Sequence, residues 1–323
     1  MQINRLKFFR WLSKIPGILY VLILLIVIFS IFTRQFATIS NLFNLIRQSS
    51  VLVIISLGMM MTIISGGIDL SVGSLIGLIS VIVAYLLQNN FSLPVAIAIG
   101  IIVCSICGLI SGLIISKGRI YPFIATFGML LIIRGFGLVI ANGGSIHISN
   151  ESLYNFGEKF YGGVPSSFWI TIFVIIVVSL LMKGTVFGTY IYAMGANESI
   201  ASSVGIKVDL QKILVYVFCA TLAGIAGIVL TSRIITGSAL IGIGIEFKAI
   251  AVVVIGGTPI IGGRGTILGT IVGAIVLSLL DNGLTLIGLA PEITSTLTGI
   301  AILVSVVFAQ IVYSKQKIRN AKG

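Results

Sequence analysis

Long apolar runs separated by short polar segments dominate this chain. The first run, Ile18–Phe32, contains no charged residue. A helix that crosses the hydrocarbon core of a bilayer needs about 20 mostly apolar residues. Nine further segments approach that length: 45–64, 70–88, 93–116, 121–140, 167–183, 212–231, 249–261, 266–280 and 293–313. The pattern predicts an all-α polytopic membrane protein with about ten transmembrane helices. The segment 249–261 is short and glycine-rich, so a broken or re-entrant helix is expected there.

Composition excludes the other classes of protein. Apolar residues make up 58% of the 323 residues and charged residues 9%, against roughly 25% charged in soluble domains. A soluble fold could neither bury so much apolar surface nor cover itself with so few charges. The net charge of +12 does not indicate nucleic-acid binding, because no basic stretch is interleaved with stacking aromatic residues.

Basic residues cluster at both ends of the chain. Lysine and arginine accumulate in the cytoplasmic segments of membrane proteins, so both termini are predicted to be cytoplasmic and the number of spans even. The chain then divides into a cytoplasmic leader (1–16), a transmembrane domain (17–313) and a basic cytoplasmic tail (314–323). The basic residues of the two ends are Arg5, Lys7, Arg10, Lys14, Lys315, Lys317, Arg319 and Lys322.

Residues for catalysis or metal binding are missing from the sequence. His147 is the only histidine, and Cys104 and Cys107 lie in the middle of an apolar run without a second pair of ligands. A Ser/His/Asp triad cannot be assembled, and no phosphate-binding G-x4-G-K-[ST] loop is present. The sequence therefore predicts no catalytic residue, no metal and no cofactor. Any ATP that drives transport would be hydrolysed by another subunit.

One polar stretch, Ser65–Ser74, interrupts two apolar runs and places Asp69 among glycines and hydroxyls. Irregular backbone at membrane depth persists only where protein or a water-filled cavity satisfies its polar groups. The alternative is a tight cytoplasmic turn in which Asp69 caps the next helix, and the sequence leaves both open. Asp69–Arg134 and Glu246–Lys248 are conceivable ion pairs. The residues predicted to shape a translocation pathway are Ser65, Asp69, Ser71 and Asn282.

Two further features concern connections. The polar segment 184–211 contains a short helical pattern between Gly195 and Gly205, which suits either a docking element for a cytoplasmic partner or a solvated loop. Gly66-Gly67 with Gly73 and Gly256-Gly257 with Gly263 share one spacing, 190 residues apart. Internal repeats are common in transporters, and the sequence leaves duplication open here.

Residues 38–312 resemble the permease subunits of ABC importers for monosaccharides of the ribose/xylose/arabinose type, within the branched-chain amino acid/sugar permease superfamily. The Gly66–Ser74 stretch is specific to this type. Lys248, Pro259 and Thr298 depart from its usual acid, serine and lysine. Other matching segments are Asn41-Leu-Phe-Asn44, Pro122-Phe-Ile-Ala-Thr126, Arg134-Gly135, Gly188 to Gly205, Ile255-Gly-Gly-Thr258, Gly262-Gly-Arg-Gly265 and Asp281-Asn-Gly-Leu284.

The resemblance implies a homodimer in the lipid of a bacterial cytoplasmic (inner) membrane. It also implies a cytoplasmic ABC ATPase subunit and an extracytoplasmic sugar-binding protein as partners, with ribose as the first expected substrate. Residues 195–206 would form the helix that couples to the ATPase. The coupling residues expected from the resemblance are Gly195, Asn197, Glu198, Ala201, Gly205 and Ile206.

Two alternatives remain. A permease for amino acids or nucleosides belongs to the same superfamily. An ion-coupled secondary transporter would use Asp69 or Glu246 as its relay.

Overall fold

A computed structural model describes residues 17–301 together with 303, 304 and 307. The predicted leader 1–16 and tail 314–323 lie outside the described residues. Residues 291–301 are helical. The helices and strands before them, in chain order, are α1 (Gly17–Phe32), α2 (Ile39–Ile64), α3 (Val72–Gln88), α4 (Leu93–Ser116), α5 (Pro122–Ile140), β1 (Ser145–His147), α6 (Glu151–Glu158), β2 (Phe160–Tyr161), β3 (Val164–Pro165), α7 (Ser166–Gly184), α8 (Val186–Ala196), α9 (Glu198–Ser203), α10 (Val208–Ile234), β4 (Thr236–Ser238), α11 (Ile245–Ile255) and α12 (Ile267–Leu286).

Six helices in the described part of the chain are long and apolar enough to cross a membrane: α2, α4, α5, α7, α10 and α12. The apolar helices α1 and α3 are shorter. The predicted span 249–261 is instead an 11-residue helix, α11, followed by a non-helical turn. At 1.5 Å per residue α11 extends ~16 Å, about half of the hydrocarbon core. The chain is thus a mostly helical, multi-span protein that includes a half-length helix.

Helix α2 lies at the centre of the bundle and α4 at its edge. In the most apolar window of each helix, 78% of the α2 residues are buried and 22% of the α4 residues. The edge helix α4 is the more apolar of the two, with a mean hydropathy of 2.7 against 1.6 for α2. One face of α4 carries Gly108 and Gly112, and a Cβ added there would lie 2.6 Å from the Tyr216 carbonyl oxygen and 2.8 Å from Ile213 Cα. These glycines let α4 pack directly on the backbone of α10.

Small elements define the two ends of the bundle. At one end, called the outer end here, α6 and a hairpin of β2 and β3 join α5 to α7. Gly162 and Gly163 turn the hairpin with φ of +60° and +80°, as a type I′ turn requires. Strands β1 and β4 pair antiparallel at the same end, with Ile146 opposite Gly237. Helices α8 and α9 lie at the opposite, inner end.

Helices α2 and α11 end in the same way. Gly66 and Gly257 follow the two caps with φ of +89° and +91°, and the amides of Gly66, Gly67, Gly257 and Thr258 return to carbonyls of the last turn at 2.9–3.1 Å. This is the Schellman termination, which favours glycine at the left-handed position. Gly66 therefore corresponds to Gly257, and the GG-x5-G spacing noted in the sequence is out of register by one residue. Gly256 corresponds to Ser65.

Candidate functional site

The segment between α2 and α3 is held by Asp69. Its Oδ1 accepts hydrogen bonds from the Ser71 backbone amide at 2.9 Å and from Ser71 Oγ at 2.6 Å. This Asx-type turn leads the chain into α3. The side chain of Asp69 is fully buried, and its Oδ2 has no hydrogen-bond partner. Thr126 Oγ1 of α5 donates to the Ile68 carbonyl at 3.3 Å, so the turn is tied to a neighbouring helix.

Asp69 lies inside the bundle rather than at its surface. Its carboxylate lies close to the Cys219 thiol of α10. Cys219 lies ~16 Å from the start of α10 at the helical rise of 1.5 Å per residue. Asp69 therefore forms a turn before a helix, and its side chain is buried within the bundle. Arg134 does not pair with Asp69, and its Nε and Nη2 are buried without partners among the described residues.

The second conceivable ion pair, Glu246–Lys248, does not form, and Lys248 pairs with Asp281 instead. Lys248 Nζ donates to Asp281 Oδ2 at 2.5 Å, and Thr298 Oγ1 donates to Asp281 Oδ1 at 2.8 Å. Glu246 is buried, and its Oε2, which has no partner, faces Gly73 at the start of α3. Two of the three positions that depart from the resemblance, Lys248 and Thr298, thus meet at one carboxylate.

The predicted pathway residues do not line one cavity. Asn282 forms reciprocal amide hydrogen bonds with Asn41 of α2 at 3.0 and 2.9 Å, in a buried position. Ser65 Oγ donates to the Thr62 carbonyl at 2.7 Å. The structure brings Asp69 and Ser71 together and keeps Asn282 apart, as a link between α12 and α2.

The predicted docking segment is a compact corner of α8, α9 and the start of α10. Asn197 is the N-cap of α9, and its side-chain oxygen accepts from the Ile200 amide at 3.0 Å and from Ser199 Oγ at 2.7 Å. Gly205 ends the helix with φ of +89°. The Ile206 amide then returns to the Ala201 carbonyl at 3.1 Å. The short helix therefore has a cap at each end.

Two contacts fix this corner to the bundle. Glu198 accepts a hydrogen bond from Lys212 of α10 at 2.7 Å. Ala201 is buried with Met194 and Val208, and Ile206 packs against this group. The coupling residues expected from the sequence thus hold the shape of the corner.

Gly195 is the closest contact between this corner and the end of α2. A Cβ added at Gly195 would lie 1.7 Å from the Ile64 carbonyl oxygen and 2.6 Å from the Gly263 amide nitrogen. The Gly263 amide itself donates to that Ile64 carbonyl at 2.9 Å. Three segments, from α2, α8 and the turn after α11, therefore meet at one backbone junction without intervening side chains.

The outward surface of α9 and its C-cap includes two large apolar residues, one of which, Ile200, the sequence reasoning missed. Ile200 is 60% exposed and Val204 is 72% exposed. They are four residues apart, so they lie on the same side of one helical turn. That spacing of two large apolar residues in a polar segment is the signal that could have identified them. Apolar side chains on a polar loop at the inner end form a surface suited to another protein.

Two recesses flank α9. A cavity of about 370 Å³ brings Ser65 and Gly66 together with Asn197, Glu198 and Lys212. A groove of about 650 Å³ on the other side is bordered by Lys117, Arg119, Lys207 and Asp209. Asp209 accepts from Lys117 at 3.1 Å and lies 3.5 Å from Arg119. Within the described ranges no cluster of histidine, cysteine, aspartate or glutamate could hold a metal ion.

The chain is similar to known proteins over most of its length. The family described as branched-chain amino acid transport system / permease component matches residues 41–306. The ribose import permease protein of Escherichia coli K12 is 38% identical over 300 residues, which cover 92% of this chain and 93% of that protein.

Relatives with other sources and names are similar over the same length. The ribose import permease protein of Bacillus subtilis 168 is 37% identical, over 88% of this chain and 89% of that protein. The L-arabinose transport system permease protein of Escherichia coli K12 is 32% identical, over 90% and 89%. No solved structure matches the chain. The match to most of the chain, together with the multi-span bundle, shows that it belongs to this family of ABC-importer permease components.

Proposed function

We propose that this chain is the permease subunit of an ATP-driven importer for a monosaccharide, with ribose as the first substrate to test. The chain is similar over most of its length to proteins named for ribose import and L-arabinose transport. It supplies the membrane path, while hydrolysis of ATP belongs to a separate subunit.

The proposed assembly contains two copies of this chain, a cytoplasmic ABC ATPase and an extracytoplasmic sugar-binding protein, in a bacterial-type cytoplasmic membrane. In this assembly each copy of the chain crosses the membrane about ten times, and both of its termini are cytoplasmic. The leader 1–16 and the tail 314–323 then lie on the ATPase side of the domain 17–313. The basic residues of both ends support this orientation. The inner end then carries α8 and α9, where an ATPase can reach them.

One observation carries the coupling role of the segment 184–211: α9 exposes Ile200 and Val204 while its other contacts anchor it. The Glu198–Lys212 pair and the buried Ala201 keep the helix in place against α10. A partner that docks on Ile200 and Val204 therefore moves a rigid corner instead of a loose loop.

The pathway role proposed for Ser65, Asp69 and Ser71 depends on their connection to the same corner. Gly195 lies against the end of α2, and Ser65 follows that end directly. Asp69 and Ser71 then set where α3 starts. A shift of α9 would thus reach the turn between α2 and α3. ATP binding in the partner subunit drives alternating access through its differential affinity for the inward and outward states of the complex. Asn282 shapes the path indirectly, by holding α12 against α2.

The test is purification of the tagged chain in mild detergent with identification of its partners, followed by ATPase and ribose-uptake assays in proteoliposomes. We expect a co-purifying ATPase whose activity rises with sugar-loaded binding protein. Ile200→Asp places a charge on the docking surface and should abolish stimulation. Val186→Asp is the matched control, since Val186 is 61% exposed at the start of α8 and lies outside that surface. Full stimulation of Ile200→Asp would contradict the docking role.

A second function is favoured by one observation. Asp69 Oδ2 and Glu246 Oε2 are buried carboxylate oxygens without partners, as an ion relay would require. An ion-coupled secondary transporter would purify alone and lose uptake when an uncoupler collapses the ion gradient. The importer would instead purify with its ATPase and depend on ATP.

A further inference from the structure

A cavity of about 220 Å³ lies among α2, α10, α11 and α12, away from the coupling corner. Its polar wall consists of Gln48, Arg233, Lys248, Ser278 and Asp281, and the rest of the wall is apolar. Arg233 lies in the last turn of α10 and Gln48 in the first half of α2, so the cavity belongs to the outer half of the bundle. Ligand pockets combine an apolar lining with a few polar groups in this way.

Ser278 gives the cavity an unused hydrogen-bonding group. The residue is 1% exposed, and its Oγ is buried without a partner. Serine and threonine inside helices usually donate to a carbonyl of the preceding turn, as Thr285 in the same helix does to the Asp281 carbonyl at 2.8 Å. A buried hydroxyl without a partner is unfavourable. A ligand hydroxyl in the cavity would remove that penalty.

Asp281 and Lys248 provide the cavity with further hydrogen-bond acceptors and donors. Each carboxylate oxygen can accept two hydrogen bonds, and Asp281 uses one on each oxygen, with Lys248 and Thr298. The Lys248 ammonium has three donors and uses one of them on Asp281. Their charges compensate each other. Arg233 adds further N–H donors and a positive charge, since Glu158 pairs with Arg47 at 2.7 Å. The wall therefore offers both hydrogen-bond donors and acceptors.

We infer that this cavity binds a neutral polyhydroxylated ligand, a single monosaccharide in transit, with Ser278, Asp281 and Lys248 contacting its hydroxyl groups. A sugar hydroxyl both donates and accepts, which matches a wall that contains a carboxylate, an ammonium and a free serine hydroxyl. The volume lies below the ~300–1,000 Å³ of pockets for drug-sized ligands, which fits one sugar ring and excludes larger oligosaccharides. The inference rests on the proposed sugar-import function and specifies where the sugar makes contact.

The test measures uptake of radiolabelled ribose, and of riboses that each lack one hydroxyl, by the complete importer in proteoliposomes. Saturating loaded binding protein is present, and uptake is divided by the amount of reconstituted permease. Ser278→Ala should lower ribose uptake about two- to tenfold, the effect of losing one hydrogen bond. For the deoxyribose that lacks the hydroxyl facing Ser278, the variant and the wild-type protein should transport equally.

Ser111→Ala is the matched control. Ser111 is also fully buried with an unpartnered Oγ, but it lies in α4 and outside the cavity wall. It should leave uptake of every sugar unchanged. Equal uptake by Ser278→Ala and wild-type protein, or the same loss for all sugars, would overturn the site. A wild-type importer that moves only charged sugar acids would overturn it as well. If the wild-type complex moves no sugar at all, the proposed function fails together with the site, and Ser111→Ala shares that result.

Discussion

Gly195→Ala tests whether the coupling corner and the end of α2 move as one unit. The added methyl group would lie 1.7 Å from the Ile64 carbonyl oxygen and 2.6 Å from the Gly263 amide nitrogen. Both neighbours are backbone atoms, so no flexible side chain can turn away. The corner must shift by about 2 Å to reach ordinary contact distances of 3.5–4.0 Å from that oxygen.

The cost follows from two contributions. Overpacking of a well-packed site costs about 1–3 kcal/mol. Displacing Ile64 also removes its 2.9 Å hydrogen bond from Gly263, which is worth about 0.5–1.5 kcal/mol. We therefore expect the substitution to destabilise the native junction by about 2–4 kcal/mol, so that most molecules of the variant would no longer form it.

Two measurements on the reconstituted complex check this prediction: its thermal midpoint, and the stimulation of ATP hydrolysis by sugar-loaded binding protein. Both should fall in Gly195→Ala. Gly184→Ala is the control, because a Cβ at Gly184, the last residue of α7, has no atom within 4 Å. If the two variants behave alike, the junction does not couple α9 to α2.

Three further predictions concern buried polar contacts. Lys248→Met should lower the thermal midpoint of the complex, because Asp281 loses its cation, and Asp281→Asn in the same chain should restore part of that midpoint. Because Lys248 is 38% exposed, the loss of stability should lie below the ~3–5 kcal/mol of fully buried pairs. Asn282→Leu should cost about 1–3 kcal/mol, because the side chain of Asn41 loses both of its hydrogen bonds with Asn282 and keeps only the one that its Nδ2 donates to the Phe36 carbonyl. In chemical denaturation, Asn41→Leu with Asn282→Leu should be more stable than either single variant. Burial raises the pKa of Glu158 despite the opposing effects of Arg47 and Arg233. The folded protein then binds this proton more tightly than the unfolded chain, and the thermal midpoint of wild-type protein relative to Glu158→Gln should rise as pH falls from 7 through the raised pKa.

Features that depend on neighbouring residues were predictable from the sequence. The break after α11 follows from Gly256-Gly257 and Pro259. The pattern between Gly195 and Gly205 predicted a short helix, which is α9, with Asn197 as its N-cap. A cap or a glycine turn acts within a few residues, so its effect can be inferred without the fold.

Features that depend on the fold were not predictable in the same way. Lys248 pairs with Asp281, which is 33 residues away, instead of with the nearby Glu246. The choice depends on how α11 and α12 pack, because both acids are close to membrane spans in the sequence. Ala201 faces the bundle while Ile200 faces outward. The sequence pattern predicted the helix, and only the packing against Met194 and Val208 determined which side is buried.

The junction of Ile64 with Gly263 also constrains the order in which the protein can be made. The Ile64 carbonyl receives its hydrogen bond from a residue almost 200 positions later. During synthesis the N-terminal half of the chain must therefore wait in the membrane with the end of α2 incomplete until the turn after α11 has been inserted. A chain that is truncated before Gly263 cannot close this contact.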